Sequence, residues 1–260
     1  MKYGFIGCGN MGGALARALS KKTKDIAVSD FDDGKAQNFA KELGITACDN
    51  NTVANNCERI FLGVKPQVMA NMLSDIRDIL QKKRPVLISM AAGISTEKIK
   101  ELAGDLPVIR IMPNTPVGVG KGVILYCSNG ADDIVDDFVQ DMSYGGKLCA
   151  IDENLIDAGC SVSGCGPAFI YTFADALAKG GMSCGLTYNQ SIEFAAATMA
   201  GAAEMLLVSG KNPEELTDAV CSKGGSTIEG VNVLKNSEFE QIVIDCVKAA
   251  YKRNIELGKA

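Results

Sequence analysis

A glycine-rich turn near the start of the chain follows directly after a short run of aromatic and β-branched residues. The run Tyr3–Ile6 is typical of a strand, and Gly7-Cys8-Gly9-Asn10-Met11-Gly12 then leads into a helical pattern over residues 14–21. Strand, G-x-G-x-x-G turn and helix in this order predict a βαβ unit that binds a dinucleotide pyrophosphate on free helix N–H groups. The predicted cofactor contacts in this turn are Ile6, Gly7, Gly9, Asn10, Met11 and Gly12.

The three glycines of this fingerprint turn, residues 7–12, have separate expected roles. Gly7 permits the tight turn, Gly9 lets the backbone approach the pyrophosphate, and Gly12 lets the helix pack against the strand. A glycine-rich turn that binds nothing is the alternative, and the strand before it and the helix after it argue against that alternative.

Asp30 bears on which dinucleotide binds, because it ends the second predicted strand, about 20 residues after the fingerprint turn. An acid at that offset holds the adenine-ribose hydroxyls and repels a 2′-phosphate, unless Asp30 is an ordinary surface aspartate at a strand end. No arginine lies between Arg17 and Arg59, so only lysines such as Lys35 can offset the repulsion. The expected cofactor is NADH or NADPH, and Asp30 weakly favours NADH.

Composition excludes several functional classes. The formal net charge is −5 with no basic cluster, which argues against nucleic acid as a partner. No uninterrupted apolar run approaches the ~20 residues of a membrane span, and Met1-Lys2-Tyr3 leads straight into a strand, so we expect neither a membrane helix nor a signal peptide. The chain has no histidine, so any catalysis must work without an imidazole.

The ten cysteines include no C-x-x-C pair. This pattern predicts no metal site and reduced, mostly buried thiols, as in a cytoplasmic protein.

Strand-like and helical patterns alternate up to about residue 151. This alternation predicts a mostly parallel sheet flanked by helices, a Rossmann-type dinucleotide-binding domain over residues 1–153 of an α/β protein. The strand-like runs are Tyr3–Ile6, residues 26–28, residues 60–64, Val86–Ser89, residues 108–112 and residues 123–126. The helical patterns cover residues 14–21, 35–43, 68–80 and 134–142.

The remainder, residues 154–260, lacks strand-like runs and predicts an all-α helical dimerisation domain. Its helical patterns cover residues 167–179, Tyr188–Val208 and residues 242–256. Residues 191–207 are apolar on nearly every side, which favours burial against another subunit. A central helix in a monomeric bundle is the alternative, because small residues also permit close packing within one chain.

Three further segments follow predicted strands: Val64-Lys65-Pro66-Gln67, Met90-Ala91-Ala92-Gly93 and Met112-Pro113-Asn114-Thr115-Pro116. In open α/β sheets, ligands bind beyond the carboxyl ends of the strands, where all three would lie. Lys65 can bind a phosphate or a carboxylate, and Asn114 and Thr115 can hydrogen-bond the nicotinamide or the substrate. Taken alone, each segment is equally typical of an ordinary turn. The predicted cofactor contacts are Val64, Lys65, Pro66, Gln67, Ala91, Ala92, Gly93, Asn114, Thr115 and Pro116.

A second anion site is predicted far along the chain, at Cys221-Ser222-Lys223-Gly224-Gly225-Ser226-Thr227 (the anion segment). It runs into a helical pattern, with Ser226 and Glu229 spaced as a capping box, so Ser226 is the expected N-cap. Free N–H groups at a helix start favour a carboxylate or phosphate. Two anion sites suggest a dinucleotide plus an acidic substrate.

Together, residues 4–12, 64–67, 110–116, 163–169 and 220–235 resemble the pyrroline-5-carboxylate reductases, which complete proline biosynthesis. The stretch 220–231, Val-Cys-Ser-Lys-Gly-Gly-Ser-Thr-Ile-Glu-Gly-Val, corresponds to the family signature and is more specific than a glycine fingerprint. Two residues depart from the family pattern: Lys223 stands where proline is usual, and Cys165 where serine is usual. Lys223 adds a cation and a backbone N–H beside the anion site.

The resemblance implies NAD(P)H-dependent reduction of pyrroline-5-carboxylate to proline by a homodimer with interlocked helical domains, often within a ring of dimers. It implies an active site formed by the nucleotide domain of one chain and the helical domain of its partner, so monomers should be inactive. Thr227 is the candidate catalytic residue, expected to hydrogen-bond the ring nitrogen. The expected substrate-binding residues are Ser222, Gly224, Gly225, Ser226 and Thr227.

Two other functions fit parts of the pattern. A β-hydroxyacid dehydrogenase also joins a dinucleotide fold to a helical domain, but it typically uses a lysine there, and this chain offers Lys179 only at a helix end and none across residues 191–207. A non-catalytic dinucleotide sensor would need the fingerprint turn but not the anion segment.

Overall fold

The computed structural model describes residues 1–257, in which strands and helices alternate over the first 150 residues and helices follow alone. The strands are β1 (Tyr3–Ile6), β2 (Ile26–Ser29), β3 (Thr46–Ala47), β4 (Arg59–Leu62), β5 (Val86–Ser89), β6 (Val108–Pro113), β7 (Gly122–Asn129) and β8 (Gly146–Ala150). The helices are α1 (Asn10–Leu19), α2 (Asp33–Leu43), α3 (Asn50–Asn56), α4 (Pro66–Lys83), α5 (Thr96–Ala103), α6 (Val135–Met142), α7 (Ile156–Ser163), α8 (Gly166–Ser183), α9 (Tyr188–Val208), α10 (Pro213–Val220), α11 (Ser226–Lys235) and α12 (Phe239–Leu257).

The eight strands form one sheet in the order β3-β2-β1-β4-β5-β6-β7-β8. Strands β1 to β6 are parallel, β7 is antiparallel to β6, and β8 is parallel to β7. The chain moves outward from β1 to β3 and then crosses back to β4, so the order reverses between β1 and β4. Ligands bind at the carboxyl ends of the strands at such a reversal. The predicted Rossmann-type α/β fold with a helical second part is confirmed.

The sheet is buried on both faces, which explains its continuous apolar strands. One face packs Phe5, Phe61 and Phe138, with the Phe5 and Phe61 rings stacked at 4.2 Å. The other face packs α4 and α5 through residues such as Leu73 and Ile99. These two layers fix the strand ends on which the site is built.

The chain divides into two compact units. The sheet unit contains Met1–Cys165 and residues 250–257, and the helical unit contains Gly166–Ala249. Helix α7 belongs to the sheet unit, where Ile156 and Cys160 pack on Met112 and Leu125. The domain boundary between residues 153 and 154 stays a prediction, and residues 258–260 of the predicted helical domain lie outside the described residues.

Helix α9 exposes most of its apolar surface in the single chain. Only Ser191 and Ala195 of its 21 residues are buried, while Phe194 is 55% and Leu207 70% exposed. By length and a mean hydropathy of 1.4, this helix meets the criteria for a candidate membrane span, although the sequence contains no unbroken apolar run. The alternative of a central helix buried within a monomeric bundle is wrong, because residues 1–257 leave α9 mostly exposed.

Burial also corrects the expectation for the cysteines. Cys8, Cys57 and Cys160 are buried, five thiols are half-buried, and Cys184 and Cys246 are exposed. The prediction that they are mostly buried is therefore wrong for the single chain.

A buried ionic network joins the amino ends of β1 and β4 to α6. Asp141, 5% exposed, accepts hydrogen bonds from Lys2 Nζ at 2.6 Å and Tyr3 Oη at 2.5 Å. Arg59 donates to Tyr3 Oη at 2.9 Å and to Asp137 at 2.9 Å. Burial works to raise the pKa of Asp141, but the bonds from Lys2 and Tyr3 and the charge of Arg59 outweigh it and hold the pKa below its usual value.

We expect Asp141→Asn to lower the free energy of unfolding at pH 7 by about 3 kcal/mol, because it leaves buried partners without a carboxylate. Since the folded-state pKa is depressed, this stabilisation is present above the unfolded value of about 3.9 and is lost as the pH falls through the folded value. Urea unfolding between pH 3 and 7 measures both effects. Asp105→Asn, which removes an exposed carboxylate 3.5 Å from Lys100, is the control and should change stability by less than about 1 kcal/mol. Equal effects of the two substitutions would contradict this role for Asp141.

Candidate active site

The fingerprint turn lies at the carboxyl end of β1, beside the point where the strand order reverses. Gly7 has φ of +99°, and its N–H donates to Ser29 O at 2.8 Å. A Cβ on Gly7 would lie 2.7 Å from Gly63 O, and a Cβ on Gly12 would collide with Gly7 O. Both glycines are therefore required by the packing of turn, strand and helix.

Gly9 differs from its neighbours because the space beside it is open. Apart from Gly9 itself and its neighbours along the chain, no heavy atom of the described residues lies within 4 Å of where its Cβ would stand. Gly9 is also the N-cap of α1 and provides no side-chain cap, so the first N–H groups of α1 are left for another acceptor. The surroundings of Gly9 therefore fit a pyrophosphate, which needs close backbone approach and helix N–H donors.

Asp30 directly follows the last residue of β2. It lies beside the fingerprint turn, because Ser29 pairs with Ile6, the last residue of β1. Its Oδ2 accepts bonds from the Cys8 N–H at 2.9 Å and from Lys35 Nζ at 2.9 Å. Burial works to raise the pKa of Asp30, but the bonds from Lys35 and the backbone outweigh it and keep the pKa below its usual value. Asp30 is thus a fixed carboxylate, 14% exposed at its side chain.

The Cys8 thiol also donates to Asp30 Oδ2, at 3.3 Å. Burial and this bond raise the pKa of Cys8 to about 11, so the thiol stays protonated at neutral pH. Cys8 therefore supports Asp30 instead of acting as a nucleophile.

The loops after β4 and β5 line one cavity of about 880 Å³ in the sheet unit. Lys65, Pro66 and Gln67 lie on one side of it, and Ala92 and Gly93 on the other. Val64 and Ala91, also predicted as contacts, instead pack against the apolar core. The structure thus brings together five of the seven residues predicted in these two loops.

Asn114 after β6 has a structural role. Its Nδ2 donates to Ser163 O at 2.9 Å, and its Oδ1 accepts from the Val123 N–H at 2.8 Å. Because the side chain is buried and bonded at both ends, it is not presented for a ligand, contrary to the expectation of a side-chain contact. Thr115 next to it is exposed and Pro116 half-buried.

Gly63 is a residue that the sequence reasoning missed. A Cβ there would lie 2.6 Å from Gly7 O, and the Gly63 N–H donates to Ile6 O at 2.8 Å. A single glycine at the end of a strand-like run signals close backbone approach, and that signal was available in Ile60-Phe61-Leu62-Gly63.

The anion segment links α10 to α11 in the helical unit. Gly224 has φ of +77°, and the Gly225 N–H donates to Ser222 O at 3.0 Å, which closes a tight turn. Ser222, Ser226 and Thr227 are all exposed in the single chain. The predicted turn and helix start are therefore present, with their hydroxyl groups accessible.

The predicted N-cap of α11 is wrong by one residue. Gly225 is the N-cap, with extended φ of −80° and ψ of 165°, and the helix begins at Ser226. A glycine cap has no side chain to bond the first turn, and no capping hydrogen bond from Ser226 or Glu229 is present in the described chain. The Ser226 hydroxyl is thus not engaged in capping its own helix.

Two family models match the chain. One, described as pyrroline-5-carboxylate reductase dimerisation, matches residues 153–257, and another, NADP oxidoreductase coenzyme F420-dependent, matches residues 2–93. Among curated proteins, the pyrroline-5-carboxylate reductase of Aquifex aeolicus is 36% identical over 95% of this chain and 94% of its own length. That of Escherichia coli is 34% identical over 100% of this chain and 99% of its own length.

Solved structures of the same family have the same fold. The pyrroline-5-carboxylate reductase of Coxiella burnetii superposes with a TM-score of 0.92 at 28% identity, over 100% of this chain and 99% of that one. The Plasmodium falciparum enzyme, with NADP bound, gives 0.88 at 28% identity, over 99% and 98%.

A Rossmann-type sheet with an open glycine turn, joined to a helical dimerisation domain, defines a two-domain oxidoreductase dependent on NAD(P)H. Relatives of this class match the chain over nearly its whole length, which sets aside the hydroxyacid dehydrogenase and the non-catalytic sensor. The chain belongs to the pyrroline-5-carboxylate reductase family, and it reduces 1-pyrroline-5-carboxylate to L-proline.

Proposed function

We propose that the anion segment holds the substrate in this reduction, with Thr227 at the ring nitrogen. The observation that carries the proposal is the start of α11, where a glycine N-cap leaves both helix N–H groups and exposed hydroxyls without a cap partner in the described chain. Ser222, Gly224, Gly225 and Ser226 bind the substrate carboxylate. The positive end of the helix dipole and these donors suit an anion.

The reaction adds a hydride to the imine carbon and needs one proton on the ring nitrogen. When bound, the reduced nicotinamide supplies the hydride. If the substrate enters as its iminium, the proton is already in place and no strong acid is needed, which suits a chain without histidine. Thr227 accepts a hydrogen bond from the iminium N–H, and the rate gain comes from orientation and electrostatics.

The surroundings of Asp30 support NADH as the preferred cofactor. Asp30, Asp33, Asp49 and Asp75 line one hollow of about 260 Å³ near the end of β2. Lys35 is already paired with Asp30. A 2′-phosphate placed there would meet several carboxylates and no free cation among the residues that line the hollow.

We expect the wild-type protein to bind NADH at least about tenfold more tightly than NADPH, since a like-charge contact at about 4 Å costs about 1 kcal/mol even at the dielectric constant of bulk water, and the hollow has several carboxylates. Calorimetric titration with each cofactor measures the ratio. Asp33→Asn, which removes one carboxylate without touching Asp30, should narrow the gap by weakening the repulsion of NADPH alone. Tighter binding of NADPH to the wild type would overturn the preference.

We also propose how the subunits assemble. The family match to a dimerisation domain and the exposed apolar face of α9 support a homodimer through the helical unit. The family resemblance extends this proposal to a ring of such dimers. The resemblance to the family supports an active site completed by the partner chain. We propose that a second subunit, and not a membrane, covers the apolar surface of α9. A cytoplasmic location is consistent with this proposal.

The activity is tested by adding 1-pyrroline-5-carboxylate to the protein with NADH and following the loss of absorbance of the reduced nicotinamide. Sedimentation in parallel relates activity to assembly. We expect turnover in the dimer and none in a dilute monomer. No turnover with either NADH or NADPH, or a fully active monomer, would contradict the proposal.

A further inference from the structure

Phe31 is the most exposed large apolar side chain that the structure describes, with relative exposure of 107%. It lies one residue beyond Asp30, on the short connection between β2 and α2. A single exposed apolar side chain is common on protein surfaces, but Phe31 directly follows the acid proposed for the adenine ribose, so its ring is accessible to a dinucleotide bound there.

The backbone on both sides of Phe31 is fixed. The Asp32 N–H donates to Asp30 Oδ1 at 3.3 Å, and Asp32 is the N-cap of α2, accepting from the Lys35 N–H at 3.0 Å. Asp30 in turn is bonded to the fingerprint turn through Cys8. A rigid connection presents the ring without further loss of backbone entropy on binding.

The position of Phe31 relates it to one end of the dinucleotide. The fingerprint turn fits the pyrophosphate, and Asp30 beside it is placed for the adenine ribose. The base attached to that ribose has a flat π face, and an aromatic side chain next to the ribose-binding acid can stack on it.

We propose that Phe31 is the adenine platform of this enzyme and determines how tightly the dinucleotide binds. The inference rests on the proposed use of Asp30 for the adenine ribose. It assigns the residue no part in the chemical step, so it predicts an effect on cofactor affinity with kcat at saturating NADH unchanged.

Phe31→Ala should weaken binding of NADH and of ADP-ribose about tenfold, because a base–aromatic stack contributes about 1–3 kcal/mol. Binding of nicotinamide mononucleotide, which lacks the adenine, should not change. Calorimetric titration with each probe measures the affinities, and the thermal midpoint checks that the surface substitution leaves the fold intact. Leu155→Ala, at an exposed apolar residue beyond β8, is the matched control and should alter none of them.

Phe31→Trp should restore affinity, and because the chain has no other tryptophan, its fluorescence should fall when ADP-ribose stacks on it. If the wild type binds NADH but Phe31→Ala binds ADP-ribose as tightly as the wild type, the adenine-platform proposal is wrong and the proposed function is unaffected. Failure of the wild type to bind any dinucleotide would instead refute the proposed function.

Discussion

Thr227→Ala is expected to lower kcat about a hundredfold while the dissociation constant for NADH stays unchanged. Thr227 lies in the first turn of α11 and is exposed in the single chain, so its hydroxyl can reach a ligand without rearrangement of the helix. An interaction that is stronger in the transition state than in the ground state lowers kcat when it is removed. Steady-state kinetics with 1-pyrroline-5-carboxylate, together with calorimetry for NADH, separate the two quantities.

Thr227→Ser is the matched control, because it keeps the hydroxyl and removes only a methyl group. We expect it to retain most of the activity, whereas Thr227→Val keeps the shape and should behave like Thr227→Ala. If all three variants turn over like the wild type, Thr227 has no role beyond the helix start.

Gly9→Ala is expected to weaken NADH binding about a hundredfold while lowering the free energy of unfolding by less than about 1 kcal/mol, the cost of replacing a glycine N-cap by alanine. The structure leaves open space at this Cβ, so the methyl group meets no protein atom and instead occupies the approach of the pyrophosphate. Loss of one or two charge-assisted bonds there costs about 3 kcal/mol. Calorimetric titration and urea unfolding give the affinity and the stability.

Gly12→Ala serves as the comparison, because its main effect should be on the stability of the fold and not on the approach of the pyrophosphate. Its Cβ collides with the backbone oxygen of Gly7, so we expect a loss of about 2 kcal/mol in unfolding free energy. If Gly9→Ala also destabilised the protein without affecting NADH, the turn would be a structural bend and not a pyrophosphate site.

The fold could be predicted largely because its parallel strands are short, continuous apolar runs that alternate with helical patterns. β1 and β5 were predicted with their observed bounds, and α9 likewise, since each has a strong pattern and clear boundaries. Short elements were missed. Helix α3 is rich in asparagine, a weak helix former, and is held by the Asp49 cap on the Thr52 N–H and by burial of Val53.

The two-residue strand β3 and the edge strand β8 were missed for a related reason. Their existence depends on a neighbouring strand, not on their own composition. β8 pairs with β7 over Gly146–Ala150, where its side chains are half-buried or exposed, so the residues show little apolar alternation.

For the site, sequence reasoning identified the residues whose role follows from backbone geometry. The open approach at Gly9 and the αL turn at Gly224 agree with motif spacing. Side-chain direction could not be predicted in the same way. Asn114 has the chemistry of a ligand contact, but tertiary packing uses both ends of its amide within the fold. Phe31 carried no motif and became notable only through its exposure.

The most direct test of the account mixes two defective chains. Co-expression of differently tagged Gly9→Ala and Thr227→Ala chains, followed by purification through both tags, yields an assembly in which one intact fingerprint turn can meet one intact anion segment. If a partner chain completes each site, the mixed dimer should recover up to about half of the wild-type rate, since one of its two sites is intact. Each variant alone should retain only about a hundredth of the wild-type rate, at an NADH concentration that saturates the wild type and Thr227→Ala but lies far below the dissociation constant of Gly9→Ala. A mixed dimer no more active than the separate variants would contradict a site shared between subunits.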